Sequence, residues 1–209
     1  MPNLKLTYFN AAGRAEPVRI ALFMAGVPFE DHRLDFQEFM GLKAEGALPL
    51  GSVPVLEVDG VKFPQTAAML RYAARLGDTG LYPTDPTKAL AVDSVLDTFN
   101  DTLSNLLTPS FHERDPAKKL ELRAAFADGP MKVVFGHAEE LIARSGGPFV
   151  LGAKMSMADL VLAQQVLAIR NGILDGISAD HLAPYTHMNA LADAYLADPR
   201  VVAYAAAKA

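Results

Sequence analysis

The amino-acid sequence predicts an α/β domain followed by an all-helical domain. Up to about residue 77, segments that alternate apolar and polar side chains, as strands do, are interspersed with segments of helical composition. Gly80 and two prolines then mark a linker over residues 78–88, and every periodic segment after it has helical spacing. We therefore expect one domain over residues 1–80 and a second over residues 84–209, which suits a chain of this length.

The first domain has the predicted order strand, helix, strand, helix, strand, strand, helix. Its firmest signal is Asp59-Gly60 between two β-branched runs, which is typical of a tight β-hairpin. Thr66 is a candidate cap for the last helix, and Gly77 ends that helix. A βαβ unit followed by a ββα unit is the order of the thioredoxin fold. The segments, in chain order, are residues 4–9, 15–25, 28–34, 36–46, 55–58, 61–63 and 66–76.

The second domain has five or six predicted helices. Its apolar side chains recur at three- and four-residue spacing, as on one face of an amphipathic helix. Ser156 and Asp159 precede a strongly apolar run and form a capping-box pattern, which we interpret as structural. The helical segments are residues 89–107, 117–127, 131–144, 156–169 and 181–196, with a short tail helix after Pro199.

The composition excludes several classes of protein. The chain has no cysteine, so disulfides, cysteine-zinc sites and a redox Cys-x-x-Cys motif are excluded. A net charge of −5 and scattered basic residues argue against a nucleic-acid partner. No apolar stretch approaches the roughly 20 residues of a membrane span, and no secretory signal is recognisable. The five histidines lack metal-ligand spacing, so we expect no metal site.

The absence of cysteine bears on the chemistry of the first domain. Domains of thioredoxin type usually act on sulfur, but this chain has no sulfur nucleophile of its own. If it performs thiol chemistry, the thiol must arrive with a ligand, and glutathione is the obvious candidate because it is an abundant intracellular thiol. This inference rests on fold analogy.

Several short motifs, in order and at fitting spacing, resemble those of one family. They are LKLTYFN at residues 4–10, GRAE at 13–16, EDHR at 30–33, VPVLEVDG at 53–60 and QT at 65–66. The resemblance continues more thinly through the helical half, as far as residues 155–160. The chain is similar to the cytosolic glutathione transferases, most of all to the sigma class and the related haematopoietic prostaglandin D synthase. This resemblance implies a glutathione-binding thioredoxin-like domain, an acceptor-substrate pocket in the helical domain, and a cytoplasmic homodimer.

Tyr8 matches the catalytic tyrosine of that family. A hydroxyl that donates to sulfur favours the thiolate, which is the nucleophilic form of a thiol, and each pKa unit so gained is worth about 1.4 kcal/mol. Tyr8 also ends a predicted strand just before a helix N-terminus, whose partial positive charge favours an anion. Arg14 matches the arginine that supports this tyrosine and the thiolate. Without the resemblance, Tyr8 would be interpreted as a core aromatic and Arg14 as a solvated charge.

The resemblance also assigns two parts of glutathione to backbone features. Val53-Pro54 matches a cis-proline corner, where the residue before the proline pairs with the cysteinyl part of glutathione like an added strand. Gln65-Thr66, at a helix N-terminus, matches the site of the γ-glutamyl carboxylate. Relatives mostly have serine where this chain has Thr66, so the hydroxyl is kept. The alternative for Thr66 is a plain helix cap.

The glycyl end of glutathione is assigned to side chains that partly depart from the family pattern. Phe39 and Lys43 match the positions that hold the glycyl carboxylate, but relatives often have tryptophan at Phe39, and phenylalanine cannot donate a hydrogen bond. Ser52 stands where a relative has lysine. We expect both changes to weaken glutathione binding more than activity.

Asp93, Asp97 and Asp101 are four residues apart on one predicted helix. Like charges so placed repel slightly, and a solvated helix face is the simplest explanation. The resemblance implies instead that this helix lies along a dimer interface and that Asp101 reaches the glutathione of the other subunit.

The resemblance implies an enzyme that joins the glutathione thiolate to electrophilic, mostly apolar substrates, with glutathione as co-substrate and without a metal. Candidate contacts of the electrophile are assigned by position alone. They are Phe9, Arg14, Leu103, Leu107 and Phe111.

Two alternatives belong to other functional classes. The first is a non-catalytic glutathione- or ligand-binding protein on the same fold, which Phe39 and Ser52 leave open and the intact Tyr8 and Arg14 argue against. The second is a glutathione-dependent isomerase such as prostaglandin D synthase. Where that relative has an aromatic wall, this chain has Thr108, which argues against the isomerase.

Overall fold

A computed structural model describes residues 2–208 of the chain, with the side chains of residues 103 and 104 outside the description. The chain divides into two compact units. The α/β unit extends to Tyr82 and includes the end of the chain from Ala203, and the helical unit runs from Pro83 to Val202. An α/β unit followed by a helical one is the predicted fold class, which is thereby confirmed.

The α/β unit is built on a four-stranded mixed sheet. Its strands are β1 (Leu4–Phe9), β2 (Glu30–Leu34), β3 (Val55–Val58) and β4 (Val61–Phe63). The strand order is β2-β1-β3-β4, with β1 and β2 parallel and the other pairs antiparallel. This is the predicted thioredoxin-like order. Tyr8 is the second-to-last residue of the central strand β1. It therefore lies at the carboxyl end of the parallel pair β1–β2, opposite Arg33.

Helices complete this unit. They are α1 (Glu16–Met24), α2 (Phe36–Ala44) and α3 (Thr66–Ala74), and a short 3₁₀ turn over Gly13–Ala15 leads into α1. The first helix packs against the third and buries Ile20 and Leu22 completely, and each such side chain contributes about 1.5–3 kcal/mol of transfer free energy. Asp35 caps α2 by accepting a hydrogen bond from the backbone N–H of Glu38 at 2.8 Å.

The predicted hairpin forms between β3 and β4. Asp59 and Gly60 have φ angles of 50° and 86°, and a two-residue turn with positive φ at both positions matches the twist of the flanking strands. The Asp59 carboxylate also accepts a hydrogen bond from the backbone N–H of Asn3 at 2.8 Å. The turn is therefore tied to the start of β1.

From residue 83 onward the described chain forms seven α-helices, more than the five or six predicted. They are α4 (Pro86–Thr102), α5 (Thr108–His112), α6 (Pro116–Asp128), α7 (Pro130–Ser145), α8 (Met157–Arg170), α9 (Thr186–Ala197) and α10 (Pro199–Lys208). The helix predicted over residues 89–107 is confirmed as α4 as far as Thr102, but its last turn is predicted wrongly, because Leu103–Leu107 form a π-helix that leads into α5. Among the described residues, no helix is both long and apolar enough to cross a membrane.

The predicted helix start at residue 181 is also wrong. His181 belongs to a short 3₁₀ turn over Ala179–Leu182, and α9 begins only at Thr186. Pro184 explains the difference, because a helix that began at residue 181 would need the backbone N–H that proline lacks.

The start of α8 is organised around a buried carboxylate. Asp159, with 0% of its surface exposed, accepts hydrogen bonds from the backbone N–H of Val150 at 2.8 Å, and from the backbone N–H and hydroxyl of Ser156 at 2.6 and 2.7 Å. These bonds tie the helix to the preceding loop, which agrees with a structural role. Burial raises the pKa of Asp159 to about 6, against the opposing effect of these hydrogen bonds.

Candidate active site

The hydroxyl of Tyr8 receives a hydrogen bond from the backbone. Tyr8 is half-buried near the end of β1, and the backbone N–H of Arg14 donates to its oxygen at 3.3 Å. A phenolic hydroxyl has one proton to donate and lone pairs to accept with. Because the amide occupies a lone pair, the proton of Tyr8 is left to be donated to another group, as a thiolate would require.

Gly13 permits this contact. Its φ is 45°, and a Cβ atom built on it would lie 2.5 Å from the hydroxyl oxygen of Tyr8. Real Cβ atoms do not approach so closely, and a positive φ is also costly for other residues. The glycine is therefore needed for the chain to fold back over the tyrosine. Sequence analysis included Gly13 in a motif but did not give it this role.

Arg14 takes part through its main chain. It lies half-buried in the 3₁₀ turn over Gly13–Ala15, and its amide makes the contact with Tyr8. The resemblance predicts that the charge of the Arg14 side chain supports Tyr8. The contact seen in the structure uses the backbone amide instead, and any residue except proline could make it.

Aromatic rings line one side of the tyrosine. The ring of Phe9 lies 5.6 Å from that of Tyr8 and 5.1 Å from that of Phe39, between centroids. Phe39 thus packs at the position where, according to the resemblance, relatives often have a donating tryptophan. Such ring pairs contribute about 0.5–1.5 kcal/mol beyond their buried area, so Phe39 has a packing role in this chain.

Lys43 lies next to the turn that precedes β3. Its ammonium is 5.8 Å from the centroid of the Phe39 ring, and its Cε is 3.5 Å from the position that a Cβ on Gly51 would occupy. The residue is exposed, and within residues 2–208 no carboxylate forms an ion pair with it. An exposed cation beside Gly51 suits an anionic ligand, and the assignment of Lys43 to the glycyl carboxylate stays a prediction.

The backbone is extended at Ser52, and a cis peptide bond follows between Val53 and Pro54. Ser52 is exposed, with φ −140° and ψ 162°, and the Val53–Pro54 bond is cis, as the resemblance implied. Val53 is half-buried and Pro54 is buried. An extended segment beside a sheet is suited to main-chain pairing with a peptide ligand.

The start of α3 has an unusual backbone conformation. Gln65 has φ 79° and ψ 104°, and a non-glycine residue in such a region costs of order 1–3 kcal/mol, most often at functional sites. Gln65 occupies the N-cap position and Thr66 is already helical, so the expectation that Thr66 caps α3 is wrong. The first turn of the helix presents backbone N–H groups that suit an anion.

The remaining candidate residues lie in the helical unit. Leu107 is buried and Phe111 is 54% exposed, with the guanidinium carbon of Arg123 5.0 Å from its ring centroid. Asp101 is exposed in the last turn of α4. The side chain of Leu103 lies outside the described residues. Their predicted contacts with an electrophile, or with a second subunit, stay predictions.

Sequence reasoning missed one residue beside the tyrosine, Arg19. Its side chain is 1% exposed, and its guanidinium carbon lies 5.8 Å from the centroid of the Tyr8 ring. The available signal was a charged pair, Glu16 and Arg19, three residues apart on an otherwise apolar helix.

The sequence matches two family profiles. The glutathione S-transferase N-terminal domain matches residues 4–75, and the glutathione S-transferase C-terminal domain matches residues 100–208. Together these two matches account for most of the chain.

Individual relatives agree. Glutathione S-transferase 1 of Ascaris suum is 34% identical over 184 residues, which cover 85% of each chain. The solved structure of a prostaglandin synthase D from Nilaparvata lugens superposes with a TM-score of 0.82 at 32% identity, covering 98% of this chain and 97% of that one. A monomeric glutathione S-transferase from the hookworm Necator americanus superposes with a TM-score of 0.75 at 27% identity, over 99% and 98% of the two chains.

Proposed function

We propose that this chain, which belongs to the glutathione S-transferase family and is a glutathione transferase, ionises the thiol of glutathione through a hydrogen bond from Tyr8. The observation that carries the proposal is the bond from the Arg14 amide to the Tyr8 oxygen. It directs the hydroxyl proton away from the protein backbone. A donor fixed in this way stabilises the sulfur anion, and with it the charge that reacts.

The family uses glutathione as its substrate, and we propose how this chain holds it. The cysteinyl part pairs with the main chain at Ser52 and Val53, before the cis bond to Pro54. The γ-glutamyl carboxylate binds at Gln65 and the first turn of α3, where N–H groups converge. Lys43 supplies the charge for the glycyl carboxylate.

The chemical step is a displacement or an addition. The thiolate sulfur forms a bond to the electrophilic carbon, and the leaving group or the adjacent unsaturated atom takes the electron pair. The protein contributes positioning and stabilisation of the anion, so the step needs no metal. Among residues of the α/β unit, Phe9 is the proposed apolar contact of the electrophile.

Conjugation of glutathione to a generic aryl halide tests the proposal. Tyr8→Phe removes the donor and is expected to lower kcat/KM by about 100-fold, with the KM for glutathione changed less. Tyr195→Phe is the matched control, because it removes a buried hydroxyl that bonds to Gln164 at 2.9 Å in the helical unit. Equal activity of Tyr8→Phe and the wild type would refute the role of Tyr8.

A second candidate function is glutathione-dependent isomerisation. The similarity to a prostaglandin synthase D, at 32% identity over nearly the whole of both chains, favours it. The thiol-activating site would be the same, and only the acceptor would differ. Formation of prostaglandin D by the purified protein would support this activity, and its absence alongside aryl halide conjugation would exclude it.

We propose further that the protein is a cytoplasmic homodimer in which Asp101 of one subunit contacts the glutathione bound by the other. Its exposure in α4 is compatible with such a contact. Sizing chromatography combined with light scattering tests the assembly, since a monomeric relative exists. If the wild-type protein is a monomer and Asp101→Asn leaves its affinity for glutathione unchanged, the cross-subunit role of Asp101 is removed.

A further inference from the structure

Arg19 is a buried arginine, and each of its three guanidinium nitrogens donates to an acceptor inside the α/β unit. Only 1% of its side chain is exposed. A guanidinium removed from water is tolerated only when its N–H groups are bonded, because the loss of hydration is otherwise too costly. The identity of its acceptors therefore shows what this arginine organises.

Three of the acceptors are backbone carbonyls, one at the end of β1 and two in the loop that follows it. Nη2 donates to Phe9 at 3.4 Å, and Nη1 donates to Ala11 at 2.8 Å and to Ala12 at 3.4 Å. This loop connects Tyr8 to the turn whose Arg14 amide bonds to the Tyr8 hydroxyl. The guanidinium thus fills the interior of the loop that returns the chain to the tyrosine.

Two carboxylates hold the guanidinium in place. Asp31 of β2 accepts from Nε at 2.9 Å, and Glu16 accepts from Nη1 at 3.3 Å. Glu16 is itself held by the end of the chain, because its other oxygen accepts from the hydroxyl of Tyr204 at 3.1 Å and from the ammonium of Lys208 at 2.7 Å. Burial, followed by the charge of Glu16, raises the pKa of Tyr204, so this hydroxyl stays a donor.

We propose that Arg19 is a positioning residue for thiol activation: by bonding to the carbonyls of Phe9, Ala11 and Ala12 it fixes the loop that orients the Tyr8 hydroxyl. The inference rests on the proposed role of Tyr8 and deepens it. Arg19 acts through the loop and makes no contact with glutathione. Lysine cannot replace it, because a single ammonium lacks the planar fork that reaches carbonyls and carboxylates together.

The test is a pH titration of the thiol of glutathione bound to the protein, in which the ultraviolet absorbance of the thiolate is the readout. Arg19→Lys is expected to raise the pH of half-ionisation by about one unit, a tenfold loss of thiolate at fixed pH below the midpoint. The dissociation constant of glutathione is expected to change by no more than about threefold, since Arg19 is not a binding contact.

Arg170→Lys is the matched control. Arg170 of the helical unit also bonds to a backbone carbonyl, that of Asn189 at 3.0 Å, and to the carboxylate of Asp193 at 2.6 Å. Arg170 has the same kinds of acceptor as Arg19 but does not contact the loop after β1. Its replacement is expected to leave the midpoint unchanged, which separates positioning from a general loss of stability.

A double variant distinguishes failure of this inference from failure of the proposed function. If Arg19 acts through the tyrosine, Tyr8→Phe/Arg19→Lys has the same midpoint as Tyr8→Phe alone. An unshifted Arg19→Lys together with a shifted Tyr8→Phe overturns the inference and leaves the role of Tyr8 standing. An unshifted Tyr8→Phe overturns the proposed function. Additive shifts mean that Arg19 acts on the sulfur independently, which also overturns the inference.

Glu16→Gln keeps the test decisive if Arg19→Lys does not fold. It keeps the size of the side chain and removes the charge that holds Arg19 at 3.3 Å. We expect the midpoint to rise by about half a unit, in the same direction as for Arg19→Lys. A midpoint equal to that of the wild type overturns the inference.

Discussion

The backbone N–H of Arg14 donates a hydrogen bond to the hydroxyl oxygen of Tyr8 at 3.3 Å. The bond connects a central strand to the turn that starts the first helix. It is made by the main chain, so it is set by the path of the loop and not by the arginine side chain.

Gly13→Ala is expected to lower activity strongly. The new Cβ would lie 2.5 Å from the Tyr8 oxygen, so the loop or the ring must shift, and we expect kcat/KM to fall at least about 100-fold. Gly26→Ala is the control, because Gly26 has a similar φ of 64° and no described atom within 4 Å of the added Cβ. Steady-state kinetics of both variants check the prediction. Equal effects of both variants would mean that backbone strain alone is responsible.

Lys43→Met is expected to raise the KM for glutathione about tenfold and to leave kcat nearly unchanged. The methionine keeps the packing over Phe39 and removes a charge-assisted contact worth about 1.5 kcal/mol. Lys132→Met is the control, because Lys132 of the helical unit is 60% exposed and pairs with Asp128. A fall in kcat with an unchanged KM would contradict the assignment of Lys43 to binding.

Glu139→Gln is expected to destabilise the helical unit by about 1–2 kcal/mol. Glu139 of α7 caps α9 from outside, accepting the backbone N–H groups of His187 at 2.7 Å and Met188 at 2.8 Å. Burial alone would raise the pKa of Glu139, but the hydrogen bonds from these residues and Thr186 lower it overall. Its stabilisation is therefore present above the ordinary carboxyl pKa of 4.5 and is lost as pH falls through the lowered value.

Urea unfolding of Glu139→Gln at several pH values checks both points. The neighbouring Glu140→Gln is the control, because Glu140 only pairs with Arg144 on the surface at 3.2 Å and such pairs contribute little. A stability difference from the wild type that is the same at pH 7 and in strong acid would contradict the prediction.

Asp159 is expected to have the opposite pH dependence. Its pKa is raised from 3.8 to about 6, so between these values the folded protein binds a proton that the unfolded chain does not. The stability contributed by this group therefore increases as pH falls from about 6 to about 4, by about 3 kcal/mol in all. The free energy of unfolding of the wild type minus that of Asp159→Asn isolates the group. A difference that stays constant or shrinks over this range would contradict the raised pKa.

Much of the fold could be predicted because its signals are local. The hairpin formed at Asp59-Gly60 since few pairs of residues accept two positive φ angles. The interruption of the helix at Leu103–Leu107 could have been predicted from Pro109, which lacks the backbone N–H that would bond to the carbonyl of Asn105. The π geometry of that turn could not be predicted, because it depends on tertiary packing. The late start of α9 could have been predicted from Pro184.

The sequence could identify candidate site residues one by one, but not the contacts between them. Tyr8 and Lys43 were selected because they match positions of the family pattern, and their roles stay predictions. Arg19 and the function of Gly13 were missed, because both depend on where the loop after β1 returns in space. The departure at Phe39 from the family pattern was predicted, but the packing of its ring against Phe9 was not.

The ionisation of the glutathione thiol bound to Tyr8→Phe and to the wild type tests the central claim most directly. In the wild type we expect half-ionisation at least one pH unit below the ordinary thiol pKa of about 8.5. In Tyr8→Phe the midpoint is expected to return towards that ordinary value while glutathione still binds. The same midpoint in both proteins would contradict activation of the thiol by Tyr8.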